Sequence, residues 1–263
     1  MSRQKTLADR DQFVVKANDL IRKTRYDLTT QQQKIVLYAI SKIKPGDDIN
    51  ERYEFNLQDL CNACGIKLDE YGGYYYKSLK DDLEKLTARK WVTLPDGTMK
   101  TVSWIGDAMI IPLSSTVYIK FNENLQPYLF DLREKYTQYR LQNVLVFRGK
   151  YAIRLYELLR SYTTQHAIDE GHEKEANIPV SDLRYMLAVD SYPRWADFKR
   201  FIIDPAVKEI NERSEEIHVD YFPMRGEGKR SIEKVNFVIT RARPGQQVRA
   251  YQKRRETLDH RKI

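Results

Sequence analysis

Cysteine is nearly missing from this chain, with only Cys61 and Cys64 among 263 residues. Two thiols cannot staple a protein of this length, so a disulfide-built extracellular scaffold is excluded and a reducing, cytoplasmic setting is expected. Long apolar runs are missing too. Nothing approaches the roughly 18 consecutive apolar residues of a spanning helix, and the opening MSRQKTLADRDQF has no apolar centre of the kind a secretory leader carries. No membrane partner is expected. Glycine and proline are scarce, at 11 and 9 residues, which removes collagen-like and low-complexity readings.

Charge is abundant: 31% of residues are charged beside 41% hydrophobic, enough apolar material for a buried core. At roughly 100–200 residues per domain, the length fits two small domains. Forty-five basic against 37 acidic residues give a net charge of +8, which admits a polyanionic partner without proving one. Residues 241–263 hold eight basic side chains against Glu256 and Asp259, a net of +6. The first 240 residues, with 37 basic and 35 acidic, are close to neutral. A nucleic-acid site in the body must therefore come from local clustering, and 241–263 reads as a basic, disordered tail.

The body reads as two halves on one plan. Thr29 with Gln32 forms a capping box, and Ile35, Val36, Ala39, Ile40 and Ile43 follow at helical spacing. Pro45-Gly46 stops that helix, Tyr53–Phe55 is a short strand, and Asn56 caps a helix carrying Leu57, Leu60, Cys61 and Cys64. After Gly72-Gly73 a further helix turns Tyr75 or Tyr76, Leu79, Leu83 and Leu86 to one face. A hairpin is expected from Trp91–Leu94 and Met99–Ile105 around Pro95-Asp96-Gly97. Helix, strand, helix, helix, hairpin is the order of a winged helix.

The second half repeats that order: a helix over 150–162, a strand at Asn177–Val180, a helix from Ser181, and a longer helix after Pro193. That last helix points Trp195, Phe198, Ile202, Ala206 and Ile210 inward, and Asp204-Pro205 marks a kink or a fresh start. Ile217–Phe222 and Ser231–Thr240 are strands around a basic, glycine-containing tip. The fold class is therefore α+β, two tandem winged-helix domains with small β-hairpin wings. The first domain is expected over 1–125 and the second over 126–240, with Val117–Phe121 read as a strand between the halves.

A helix-turn-helix presents the start and solvent face of its second helix to the major groove while neighbouring elements hold phosphates. At about 100° per residue, Arg200, Asp204, Lys208 and Asn211 lie opposite the apolar seam, with Lys199 at its edge and Arg194 at its start. Arg and Lys suit guanine edges or phosphates, and Asn suits adenine. By itself this face reads first as a solvated charged surface. It gains weight from the wing residues Arg225, Lys229 and Arg230, and from Arg148-Gly149-Lys150 at a helix N-terminus, where phosphate is favoured. In the first half, Lys77 and Lys80 are interrupted by Asp81, Asp82 and Glu84, so that helix suits a dimer contact as well as DNA.

Signals for an enzyme are poor. Gly226–Ser231 looks like the tail of a phosphate loop, but its first glycine would fall on Pro223 and no Ser or Thr directly follows Lys229. Cys61 and Cys64 form half a zinc site with no second pair, and core packing explains them. The four histidines, His166, His172, His218 and His260, are scattered and make no nickase signature beside one of the 18 tyrosines. No catalytic residue, metal or cofactor is expected.

Five stretches together resemble the initiator replication protein superfamily, the RepB-like plasmid initiators with tandem winged helices. They are Ala17–Ile21, Tyr26–Thr29, the helix Gln33–Ile43, Tyr139–Tyr162 with its Tyr-Ala-Ile-Arg-Leu-Tyr-Glu-Leu-Leu core, and Asp197–Lys199 continuing through Pro205–Asn211. The likeness runs over about residues 13–240. It implies that the second domain reads directly repeated double-stranded origin DNA (iterons), and that the first both touches DNA and forms a dimer interface. It also implies a homodimer that represses its own gene, in equilibrium with a monomer that starts replication, and recruitment of host initiator, helicase or primase proteins. The rival reading is a winged-helix transcription regulator without initiator activity.

Overall fold

The computed structural model describes residues 13–66, 75–93, 98–228, 230–247 and 250, with the side chains of 75, 76 and 90–93 outside that description. The chain forms two compact units. One gathers the described residues up to Leu20 with Leu28–Tyr136 and Arg140–Leu145, and the other gathers Ile21–Asp27, Thr137–Tyr139 and the described residues from Val146 onward. A single cut at 125/126 does not describe this partition, because the chain passes between the units several times.

In the first unit, helix α1 (Thr30–Ile40) begins at the capping box: Gln32 N–H donates to Thr29 Oγ1 at 3.2 Å and Thr29 N–H to Gln32 Oε1 at 3.1 Å. Strand β1 (Tyr53–Asn56) runs into helix α2 (Leu57–Cys64), which Asn56 caps and Gly65 ends in the left-handed conformation that its φ of 72° requires. Helix α3 (Tyr75–Thr87) follows, then a two-stranded ribbon, β2 (Lys90–Thr93) and β3 (Met99–Val102), then β4 (Ile105–Ile111) and β5 (Thr116–Phe121). Ile35, Leu60, Cys61, Leu79, Val117 and Ile119 are fully buried in the core of this unit.

The sheet order corrects the sequence reading. The three-stranded sheet is β1-β5-β4, all antiparallel, with Phe55 opposite Val117 and Ile110 opposite Val117 on the other side. The strand read as lying between the halves is thus the central strand of the first winged helix. Its wing is the β4–β5 hairpin, tipped by Pro112–Ser114 with Leu113 fully exposed, while the expected hairpin pairs with itself alone as β2-β3. Local turn chemistry marked Pro95–Gly97 as a hairpin, and those residues lie outside the described set. Only alternating burial of Val117, Ile119 and Phe121 against two neighbours decides which pair forms the sheet.

In the second unit, helix α4 (Lys150–Arg160) is buried along most of its length. Strand β6 (Lys174–Pro179), helix α5 (Val180–Met186), helices α6 (Trp195–Phe198) and α7 (Asp204–Arg213), and strands β7 (Ile217–Arg225) and β8 (Ile232–Arg241) complete the same plan. The sheet order is β6-β8-β7, matching the first unit strand for strand. Pro223 sits on β7, an edge strand, where a residue lacking N–H disturbs no ladder. Phe198, Ile202, Ala206 and Ile210 are buried as the spacing predicted, and Trp195 is half-buried.

Past β8 the chain is not a free tail from its start. Residues 244–247 make a helical turn, Ala242 and Ala250 are buried, and Gln246 donates to Ser214 O at 3.2 Å and Ile217 O at 2.8 Å. The expectation of a disordered 241–263 is corrected to that extent: a buried amide bonded to two carbonyls fixes the chain there. Among the described residues no helix is long and apolar enough to cross a membrane.

Candidate nucleic-acid interface

The long helical stretch of the second unit is continuous but irregular. Between α6 and α7, Lys199–Ile203 form a π turn, in which Asp204 N–H donates to Lys199 O, five residues back. Pro205 gives the reason. It has no N–H to donate toward Phe201 and its ring crowds that turn, so the helix widens by about one residue before it. Residues beyond the turn are rotated relative to a plain 100° count. The exposed stripe is Ala196, Arg200, Phe201, Pro205 and Lys208, with Arg194 just before it.

That rotation changes which predicted residues can reach a ligand. Arg200 is exposed, with its guanidinium 5.3 Å from the Phe201 ring. Lys208 is 77% exposed, with Glu212 at 3.9 Å, a loose surface pair that contributes little. Arg194 is exposed beside Asp197 at 2.8 Å. Asn211 is corrected: its amide donates to Val219 O and accepts from Val219 N–H, both at 2.8 Å, so it is pinned to the outer edge of β7 rather than turned to a base.

Lys199 is corrected too. Its ammonium donates to both oxygens of Asp204, at 3.0 and 2.8 Å, and the Tyr221 hydroxyl donates to the same carboxylate. Burial acts to raise the Asp204 carboxyl, but the Lys199 and Tyr221 bonds outweigh it and hold it below its ordinary 3.8. The bond to Asp204 lifts Lys199 above its usual value. The group is a closed triad joining the helix to β7.

The expected phosphate site at the start of α4 is already filled. The Glu209 carboxylate accepts from Arg148 N–H at 2.5 Å and Gly149 N–H at 3.0 Å, the place an incoming anion would take. Lys150 lies 2.7 Å from Asp27. Burial would lower its pKa, yet bonds to Asp27 and Tyr151 raise it. Lys150 therefore anchors the segment Ile21–Asp27, which Arg154 also grips by donating to Ile21 O at 2.7 Å and Thr24 O at 3.0 Å. The Arg148 side chain remains at the exposed surface.

At the wing, Arg225 and Arg230 are exposed on either side of the turn, Phe222 and Met224 are exposed on β7, and Lys229 lies outside the described residues. In the first unit Lys77 and Lys80 are exposed on α3, as is Glu84. Asp82 is buried: Gln32 Nε2 donates to it at 2.9 Å, tying α1 to α3, and burial raises its carboxyl pKa. Cys61 and Cys64 are buried and outside any disulfide, and burial pushes Cys61 up to about 11, which disfavours its thiolate as a nucleophile or metal ligand. Among the described residues no group of three or more His, Cys, Asp or Glu could hold a metal.

Sequence reasoning missed the loop that precedes the exposed helix. Arg184 donates to the carbonyls of Ser191, Tyr192 and Pro193, at 3.2, 2.7 and 3.2 Å, and its guanidinium lies 4.2 Å from the Phe198 ring. Tyr192 is held at φ 61° and its ring stacks on Phe201 at 4.9 Å. No local motif announces three carbonyls converging on one arginine; the aromatic at 201 already falls about 120° from the apolar seam on a plain helical count, and only its stacking partner was hidden.

Two units with one strand order, each combining a three-helix core with an edge-strand wing, define a tandem winged-helix protein. The chain belongs to the replication initiator family: residues 13–160 match the domain described as Initiator Replication protein, WH1, and residues 179–239 match Initiator Rep protein, WH2. It is 26% identical over 206 residues to a Replication initiation protein of Escherichia coli, covering 76% of this chain and 62% of that one. It is 27% identical over 141 residues to an Uncharacterized 27.6 kDa protein of Escherichia coli, covering 52% and 56%. The matches thus span about three fifths of these curated relatives. In fold it is similar to the Pi initiator protein whose crystal structure was solved in complex with iteron DNA, with a TM-score of 0.69, 20% identity, and coverage of 88% of this chain and 98% of that chain.

Proposed function

We propose that this protein is a plasmid replication initiator that binds directly repeated double-stranded origin DNA in the cytoplasm. The observation that carries the reading is the exposed helix of the second unit, which presents Arg194, Arg200 and Lys208 beside a wing bearing Arg225 and Arg230. Arginine suits guanine edges and phosphates, lysine suits phosphates, and a wing fits an adjacent groove or backbone. Family membership supports the same role, and the Pi initiator with the similar fold was solved on iteron DNA. Assembly on successive repeats would strain neighbouring duplex and help it open, by binding energy and without a catalytic group. In this reading the monomer recruits host replication proteins and a homodimer represses the gene.

A footprint of the full chain on DNA flanking its own gene tests the reading. Regular protection of direct repeats, together with replication of a plasmid carrying the gene and those repeats, is the expected result. Protection of a promoter palindrome alone, with no replication, would make the protein a transcription regulator instead.

A further inference from the structure

We propose that Phe201 and Tyr192 form an apolar platform that reads thymine methyl groups in the major groove, beside Arg200. The inference rests on the DNA-binding reading of this helix and names what that face recognises besides phosphate and guanine.

Phe201 is 46% exposed in the middle of the stripe that faces solvent, although the helix already buries Phe198, Ile202, Ile203, Ala206 and Ile210 on its core side. The core does not require a ring there, and an exposed phenyl gains nothing in water. Its exposure is also maintained by construction. Tyr192 stacks on it at 4.9 Å with the planes 26° apart, and Tyr192 adopts a left-handed φ of 61° that side chains rarely take. Ala188 in the same loop is at φ 53°. Arg184, bonded to three successive carbonyls, fixes this loop from behind. A loop held in an unfavourable conformation to back an exposed ring is pre-organised for a contact.

The chemistry of the neighbours selects the occupant. The stripe alternates cations with apolar groups: Arg200 and Lys208 beside Ala196, Phe201 and Pro205. A protein partner's apolar patch would be met by Arg200 within the stripe and Lys208 at its end. A major groove offers phosphates at its rim, guanine acceptors for Arg200, and the C5-methyl of thymine as its apolar feature. The Arg200 guanidinium over the Phe201 ring holds the two readers side by side, suiting adjacent base pairs.

The test uses the full-length protein and a duplex of the footprinted repeat in which each thymine in turn is replaced by deoxyuracil, which lacks only the methyl. One or two positions are expected to weaken binding roughly fourfold, the worth of one buried methyl. In Phe201→Ala those positions should cost nothing further, whereas Phe201→Leu should keep part of the sensitivity and Arg225→Ala all of it. Thermal melts confirm folding of each variant. If wild type shows no methyl-sensitive position, or Phe201→Ala retains the full sensitivity, the platform is not the reader. Failure to bind the repeat at all would instead overturn the function proposed above.

Discussion

Asn211 illustrates how a side chain suited to a base can be committed elsewhere. Strand β7 is an edge, and the outward N–H and C=O of Val219 would face away from any ladder; the Asn211 amide satisfies both. Asn211→Ala should lower stability by about 1–3 kcal/mol, the cost of leaving buried backbone groups unpaired, with base preference unchanged; urea unfolding and a competition assay separate the two. Asp82 makes the opposite case. Its folded carboxyl is raised by burial above 3.8, so its effect on stability is unfavourable once pH rises through and beyond the unfolded value. Asp82→Asn keeps an acceptor for Gln32 and removes the buried charge. Its melting temperature should exceed wild type at pH 7, and the gain should vanish near pH 3.

The irregularities of individual elements decide what each face displays. The π turn before Pro205 ends at Asp204, whose carboxylate bonds Lys199 and Tyr221. In the first unit, Gly106 lies at the bulge where β4 meets β5, and a Cβ there would sit 3.0 Å from Phe121 O and 3.4 Å from Asn122 Cα. Both are backbone atoms and cannot swing away. Gly106→Ala should therefore destabilise the first unit by about 1–3 kcal/mol, visible as an earlier thermal transition, with the second unit's DNA contacts retained. The wing of the second unit makes an electrostatic prediction. Arg225→Ala and Arg230→Ala should each reduce the salt dependence of DNA binding by about one counterion, on specific and random duplexes alike.

At the scale of the whole molecule, net charge and recognition separate. Much of the +8 lies beyond residue 240, where it would add affinity for any polyanion without choosing a sequence. The buried anchors Gln246 and Ala250 place a workable truncation after residue 250, because removal from 241 would strip Ser214 and Ile217 of their partner. A chain ending at 250 loses five basic and two acidic residues. It should bind all duplexes more weakly at low salt while protecting the same positions in a footprint. A truncation that shifts the footprint would place recognition in the tail.

The periodic elements, the capping box at Thr29, the inward faces of both long helices and the repeated winged-helix order were legible in the chain alone, because spacing, caps and turn residues are local physics. The tertiary structure alone decided that Val117–Phe121 is the centre of the first sheet, since strand partners far apart in sequence are chosen by burial on both sides. It alone also showed that Asn211, Lys199 and Lys150 have intramolecular partners, and that Tyr192 stacks on Phe201. A charged or amide side chain looks available in sequence until its distant partner is known, and here Val219, Asp204 and Asp27 were those partners.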